Sequence, residues 1–254
     1  LKGWVSLPVY IVSFLPSITL RMILNSKYKE KPLEYDARKN DEPVNLRVCI
    51  HSGLTGEKMM GHMTFAYKGI MYSYGNYDTA NEKFFRSIGP GILFTVPADI
   101  YINNSCIYEN STIFEYGLHI TPEQEEKLQS IIDALFQETY RWLCPLEEYG
   151  QGRDDFAKYE KDYACRLQYR TGAKFRKFHS TQWKTYWILG DNCSLFAEDV
   201  LSSIGCHIVR KRGIISPGEY FEFLETAWQD PKSNVITRSW HVASEPSTLY
   251  PTIA

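Results

Sequence analysis

The chain has 254 residues, a formal net charge of −2, 44% hydrophobic residues and 23% charged residues. That balance excludes a disordered tail, a collagen-like chain and a polybasic nucleic-acid binder. The length suits one large domain, or one and a half, and can bury a core without disulfide staples. Aromatic residues reach 15%, which points to a core or groove built from large flat side chains.

The first stretch, 3–24, is strongly apolar but is broken by Pro8 and Pro16 and ends at Arg21. A membrane span needs about 20 apolar residues in continuous helix, and a signal peptide needs basic residues first and a small-residue cleavage site. The stretch fits neither pattern and reads as an N-terminal arm packed on the core. The sharper alternative is a peripheral membrane contact through 3–24. Residues 25–45 are polar, hold two prolines and read as a linker. The arm and linker, 1–45, thus precede a domain spanning 46–254.

The domain opens with strand signals. LRVCI (46–50) reads as a strand, and 61–78 splits at Lys68-Gly69 into a hairpin. ILFTV (92–96) and IFEYGLHI (113–120) are further strands. Residues 121–143 read as a helix, with Thr121 as cap, Pro122 at the first helical position and Gln124 completing a capping box. Leu128, Ile131, Ile132, Leu135 and Phe136 share one face of it. Residues 145–185 are polar and read as an insertion without assigned elements. A short strand at 186–189 then leads through Gly190-Asp191-Asn192 into a helix with Phe196, Val200 and Ile204 inward, ended by Gly205. Ser216 to Glu219 opens another helix, and 235–242 closes as a strand. Strands followed by helices give an α+β class.

Six cysteines, at 49, 106, 144, 165, 193 and 206, are spaced widely and without a CxxC. Free thiols are therefore expected, as in a protein made in a reducing compartment, and no zinc ribbon. No glycine-rich phosphate loop occurs. Glu198 and Asp199 point to different helix faces, so they form no metal cage with Asp191. No metal or cofactor is expected.

Cys193 is the residue with chemistry in its position. It stands where a turn enters a helix, and the partial positive charge and free N–H groups there favour thiolate. The same N–H groups can hold an oxyanion as it forms. A thiolate nucleophile needs a proton-moving partner, normally histidine. Among six histidines His62 is the best placed, opening a strand directly after Gly61, and His51 follows it. Hairpin arithmetic puts Ser73 and Gly75 on the His62 face. A serine is a weak orienter of imidazole, so Asn76 or Asp78 is expected as the third residue. The bland readings stand beside these: a structural cysteine, and a turn that merely ends a strand. The run 166–184, with Arg166, Arg170, Lys174, Arg176, Lys177 and Lys184, reads as an anion-binding surface or simply a solvated face.

Gly61-His62 followed by Asn192-Cys193-Ser194-Leu195-Phe196 resembles the circularly permuted papain-like hydrolases of the NlpC type. A closer likeness covers about 46–205 and is to the N-terminal periplasmic domain of a bacterial lipoprotein N-acyltransferase family. It rests on Gly61-His62, on Tyr72 through Asp78, on Ile120 through Gln124, and on Asn192-Cys193. This chain departs from that family in its 145–185 stretch and in having no run of membrane spans after the domain. The resemblance implies a half-barrel antiparallel sheet packed on helices. Cys193 would be the nucleophile and His62 the base, with Asn76 or Asp78 orienting it. Asn192, Asp191, Tyr72 and Tyr74 would lie beside the substrate.

The implied activity is a cysteine hydrolase working through a thioester, cutting an amide bond in peptidoglycan or another envelope substrate in the bacterial periplasm or after secretion. An antibacterial toxin would also meet an inhibitor or immunity protein as partner. Two alternatives remain: an acyltransferase or lipase acting on phospholipid or lipoprotein acyl chains, and a non-catalytic binding domain. The last predicts a buried, inert Cys193 far from any histidine.

Overall fold

The structure, a computed structural model, describes residues 36–37, 42–51, 61–84, 87–150, 155–206 and 217–243. The arm expected at 3–24, the Ser216 cap and His207 lie outside them. The fold is α+β: among the described residues, seven α-helices pack on a mostly antiparallel sheet.

The strands of the main sheet are β1 (Asp36–Ala37), β2 (Leu46–His51), β3 (His62–Tyr67), β4 (Ile70–Gly75), β6 (Ile92–Pro97), β7 (Ile113–Leu118), β8 (Thr139–Trp142), β9 (Lys174–Phe178) and β11 (Val235–His241). Their spatial order is β1-β11-β7-β2-β3-β4-β6-β9-β8. A separate pair joins β5 (Ile88–Pro90) to β10 (Thr185–Trp187). The hairpin at the centre forms where the sequence places it. Lys68 and Gly69 both have positive φ, 49° and 75°, the left-handed pair that a tight two-residue hairpin needs.

Alternation along the strands sorts side chains to two faces. Leu46, Val48, Ile50, Met63, Phe65, Tyr67, Tyr72 and Tyr74 point to the first face. There they meet α2 (Pro122–Gln137), α6 (Cys193–Ser203) and α7 (Pro217–Gln229). Cys49, Ala66, Met71, Ile92, Phe94 and Val96 point to the second face. There α1 (Ala98–Ile107), α3 (Pro145–Tyr149) and α5 (Tyr163–Thr171) cover them, with α4 (Phe156–Tyr159) outside. Antiparallel sheets often leave one face to water. This one is covered on both, which accounts for the aromatic load: Phe65, Tyr74, Phe94, Tyr101, Tyr116, Phe175 and Phe196 are all essentially buried.

Helix α2 starts as expected, with the reciprocal Thr121–Gln124 capping box. It ends six residues earlier than the sequence suggests, at Gln137. The Arg176 guanidinium, reaching over from β9, donates to the carbonyls of Phe136 and Thr139 at 3.2 and 2.8 Å. Those bonds satisfy the helix-end carbonyls and release Thr139–Trp142 to pair with β9. The 145–185 stretch is therefore not a simple decoration. It carries α3, α4, α5, β9 and the first residue of β10, and β9 lies inside the main sheet between β6 and β8. Most of its basic residues have partners. Arg166 and Arg170 bind Glu109, and Lys177 binds Asp78. No described helix is long and apolar enough to cross a membrane.

Candidate active site

The β5–β10 pair delivers the chain to Cys193. Gly91, just after β5, donates its N–H to the Lys184 carbonyl at 2.9 Å. A Cβ at Gly91 would stand 1.8 Å from the Trp183 carbonyl oxygen, so only glycine lets these segments approach this closely. After β10 the turn at Gly190 and Asp191 leads to Asn192, the cap of α6. Asn192 Oδ1 accepts from the N–H groups of Ser194 and Leu195 at 2.9 and 3.0 Å. Its Nδ2 donates to the Ile188 carbonyl at 3.1 Å. Asn192 thus fixes the first turn of the helix that Cys193 opens. Phe196, one turn on, stacks on Tyr74 with centroids 4.9 Å apart, pinning α6 on the first face.

His62 begins β3, and the strand alternation turns it to the second face, with Thr64 and Ala66. Its cross-strand partner in β2 is His51, with ring centroids 5.6 Å apart. Continuing the β3–β4 register places Gly75 opposite His62. Ser73, on the same face, brings Oγ to 2.6 Å from His62 Nε2. Tyr77 brings its hydroxyl to 3.2 Å from the same nitrogen and 3.0 Å from Ser73 Oγ. The three atoms form a closed triangle. Gly75 makes it possible, because a Cβ there would lie 2.7 Å from the Tyr77 ring and hydroxyl.

His62 thus stands on the second face at one end of the β3–β4 hairpin, and α6, which Cys193 begins, packs on the first face of the same hairpin through Phe196 on Tyr74. Burial pushes the Tyr77 hydroxyl well above its ordinary pKa, and Tyr101 and the nearby Cys193 push the same way. Burial and Cys193 also raise Tyr186, and burial, Asp191 and Cys193 raise Tyr74. These tyrosines are neutral hydroxyls in the folded chain. Cys193 itself is buried, with 4% of its surface exposed.

The other residues singled out in the sequence are placed as follows. Asp78 is held in an ion pair with Lys177 at 2.5 Å and accepts from Asn81 at 2.8 Å. Asn76 wedges its side-chain amide against Gly89, and both polar atoms of that amide are buried without a hydrogen-bond partner. The groups that meet His62 Nε2 are thus Ser73 and Tyr77 rather than the expected Asn76 or Asp78. Hairpin arithmetic places Ser73 on the His62 face, where it is found, whereas Tyr77 is the residue that sequence reasoning misses. Its signal is a hydroxyl two residues beyond a glycine that ends a strand. Tyr72 stacks on Phe65, and Tyr74 is fully buried and donates to the Trp183 carbonyl at 3.0 Å, so both belong to the packing beneath α6. The Asp191 backbone carbonyl accepts from Trp187 N–H.

The described histidines elsewhere serve local structure. His119 Nδ1 meets the Pro43 carbonyl, His179 Nε2 the Gln137 carbonyl, and His241 Nε2 the Glu115 carboxylate. Among the described residues no group of His, Cys, Asp and Glu forms a metal cage. On α6, burial raises Glu198 to about 7, and Asp199 adds to the rise. The Tyr220 hydroxyl donates to Glu198 and partly opposes the shift. Comparison with protein-family models, curated proteins and solved structures finds no match for this chain.

Proposed function

We propose that the chain is a thiol-dependent hydrolase of the permuted papain-like, NlpC type, with Cys193 as nucleophile and His62 as proton carrier. One observation carries this reading: a histidine ring held by two hydroxyls stands at the hairpin end next to Tyr74, on which the helix that Cys193 begins packs through Phe196. Cys193 sits at a helix N-terminus, where backbone N–H groups and the helix dipole favour thiolate and a developing oxyanion. The thiolate attacks a carbonyl carbon, and His62 gives a proton to the departing amine. Water, losing a proton to His62, then cleaves the thioester to a carboxylate and restores the thiol. Ser73 and Tyr77 position the imidazole. The substrate that the sequence resemblance favours is an amide bond in a peptidoglycan peptide or another envelope polymer in the periplasm or outside the cell. An acyl lipid is the alternative donor for the same thioester.

A second reading draws on the burial of Cys193 and on the opposite faces occupied by the two residues. Under it the chain is a binding domain and Cys193 is a packed structural thiol. Iodoacetamide labelling against pH, with peptide mapping, separates the two. The hydrolase reading expects Cys193 to label ahead of the other five cysteines, at pH values below the roughly 8.5 of a free thiol, and His62→Ala to slow it. Labelling of Cys193 no faster than the rest in either protein removes that reading. Hydrolysis of muropeptides without release of fatty acid from phospholipid then selects the amide substrate; the reverse pattern selects the lipid.

A further inference from the structure

Two cysteines outside this site lie against one another. Cys144 caps α3, and Cys165 lies in the first turn of α5. Both are fully buried within the core of the second face. Cys165 Sγ accepts from the Leu146 N–H at 3.3 Å, which seats that sulfur on the first turn of the helix Cys144 begins. Cys144 stands two residues before Leu146, at the start of that same turn, and both cysteines belong to one buried cluster. The remaining cysteines are engaged differently. Cys106 Sγ donates to the His241 carbonyl at 3.3 Å, Cys49 stands opposite Thr64 in the β2–β3 register, and Cys206 lies beside the amides of Gln124 and Asn234.

We propose that Cys144 and Cys165 form a disulfide when the chain meets a disulfide oxidant, and that the bond locks α3 to α5 against the second face of the sheet. An S–S bond is about 2.05 Å long, so side-chain rotation must draw the two sulfurs together. Glutathione disulfide supplies the oxidant class. One of the two cysteine thiolates attacks one of its sulfurs and expels a glutathione thiolate. The other cysteine then attacks the protein sulfur of the mixed disulfide and expels the second. One S–S bond breaks and one forms, and the two protein protons leave on the two released thiols. Because both sulfurs are buried, exchange proceeds through local opening of α3 and α5.

The lock would reach the candidate site. Asp162, which caps α5 by accepting from Cys165 N–H at 2.9 Å, also accepts from Thr79 at 2.7 Å. Tyr163 stacks on Tyr77, with centroids 5.7 Å apart. This consequence rests on Tyr77 belonging to the site; the disulfide itself does not.

The test incubates the full chain in glutathione buffers of graded reduced-to-oxidised ratio, with about 1 M urea to permit opening. Free thiols are trapped with N-ethylmaleimide under denaturing conditions, and unreduced peptides are mapped. The expected result is a Cys144–Cys165 linked peptide that dithiothreitol removes, and a Tm several degrees higher in the oxidised protein. Cys144→Ser should leave Tm the same in both buffers. Maleimide on both residues at every ratio overturns the proposal, as does a bridge to other cysteines, such as Cys49–Cys106. Cys193 labelling, read in the same samples, reports on the hydrolase reading separately, because the linked peptide does not contain Cys193.

Discussion

A hydroxyl orients imidazole differently from a carboxylate. A carboxylate can only accept, and it favours the charged ring. Ser73 can donate to a neutral Nε2 and accept from a protonated one, with Tyr77 beside it as a second hydroxyl. The pair can therefore follow His62 through both protonation states without trapping it as imidazolium. Ser73→Ala is expected to slow Cys193 alkylation and shift its pH midpoint more than Tyr77→Phe does, because the Ser73 contact is the shorter. Both variants should fold, since one hydrogen bond nets about 1 kcal/mol, and the Tyr77 ring keeps its packing on Phe94 and Tyr163. Equal, unshifted profiles in all three proteins would show that the hydroxyls play no part.

Glu198 makes a second residue-scale prediction. Its folded pKa of about 7 lies above the ordinary 4.5, so the folded chain binds that proton more tightly than the unfolded chain. Its contribution to stability is fully present below about pH 4.5 and is lost as pH rises through about 7. Urea midpoints from pH 5 to 8 should fall less steeply in Glu198→Gln than in the wild type. Parallel profiles would contradict this assignment.

At the scale of elements, the caps and turns were the legible part. Thr121, Pro122 and Gln124 announce α2, Lys68-Gly69 announces the central hairpin, and Asn192 and Gly205 bound the turn and helix that carry Cys193. These signals are local, so a few residues suffice. Helix α1 was not legible. Its inward positions, Ala98, Tyr101, Ile102, Ser105 and Cys106, keep helical spacing, but the polar atoms among them and the buried Asn104 hide the apolar stripe. Strand β9 was hidden for another reason. Lys174, Arg176 and Lys177 look like a solvated run, and only the fold supplies the partners Asp78, Thr139 and the Phe136 carbonyl. The candidate site divides in the same way: the sequence points to Cys193 and His62, whereas Tyr77 enters only because Gly75 lets its ring fold back.

Asn192 tests the legible side. Replacing it with alanine removes the oxygen that accepts from two N–H groups at the start of α6, and the bond to Ile188. A loss of about 1–2 kcal/mol is expected. If Cys193 depends on an ordered first turn, its alkylation should slow in Asn192→Ala and recover largely in Asn192→Ser, which keeps a capping oxygen. An unchanged melting curve for Asn192→Ala would refute the capping role.

Across the whole molecule, two cores share one sheet. Phe196 belongs to the first face, where it meets Phe65, Tyr74 and Trp183. Phe94 belongs to the second, where it meets Tyr77, Tyr101 and Phe175. Each strand between them contributes side chains alternately to both, so neither core can be lost while the other keeps its wall. The 145–185 stretch is bound into this arrangement, because β9 hydrogen-bonds to β6 and Phe175 packs on Phe94. The described domain should therefore unfold as one cooperative unit. Phe94→Ala and Phe196→Ala should each cost about 3–5 kcal/mol and lower the same single urea transition, with fluorescence and far-UV signals moving together. If Phe94→Ala instead split the curve, with a first phase confined to α3 through β9 by hydrogen exchange, that stretch would be a separate unit docked on the sheet. The disulfide between Cys144 and Cys165 would then stabilise only that phase.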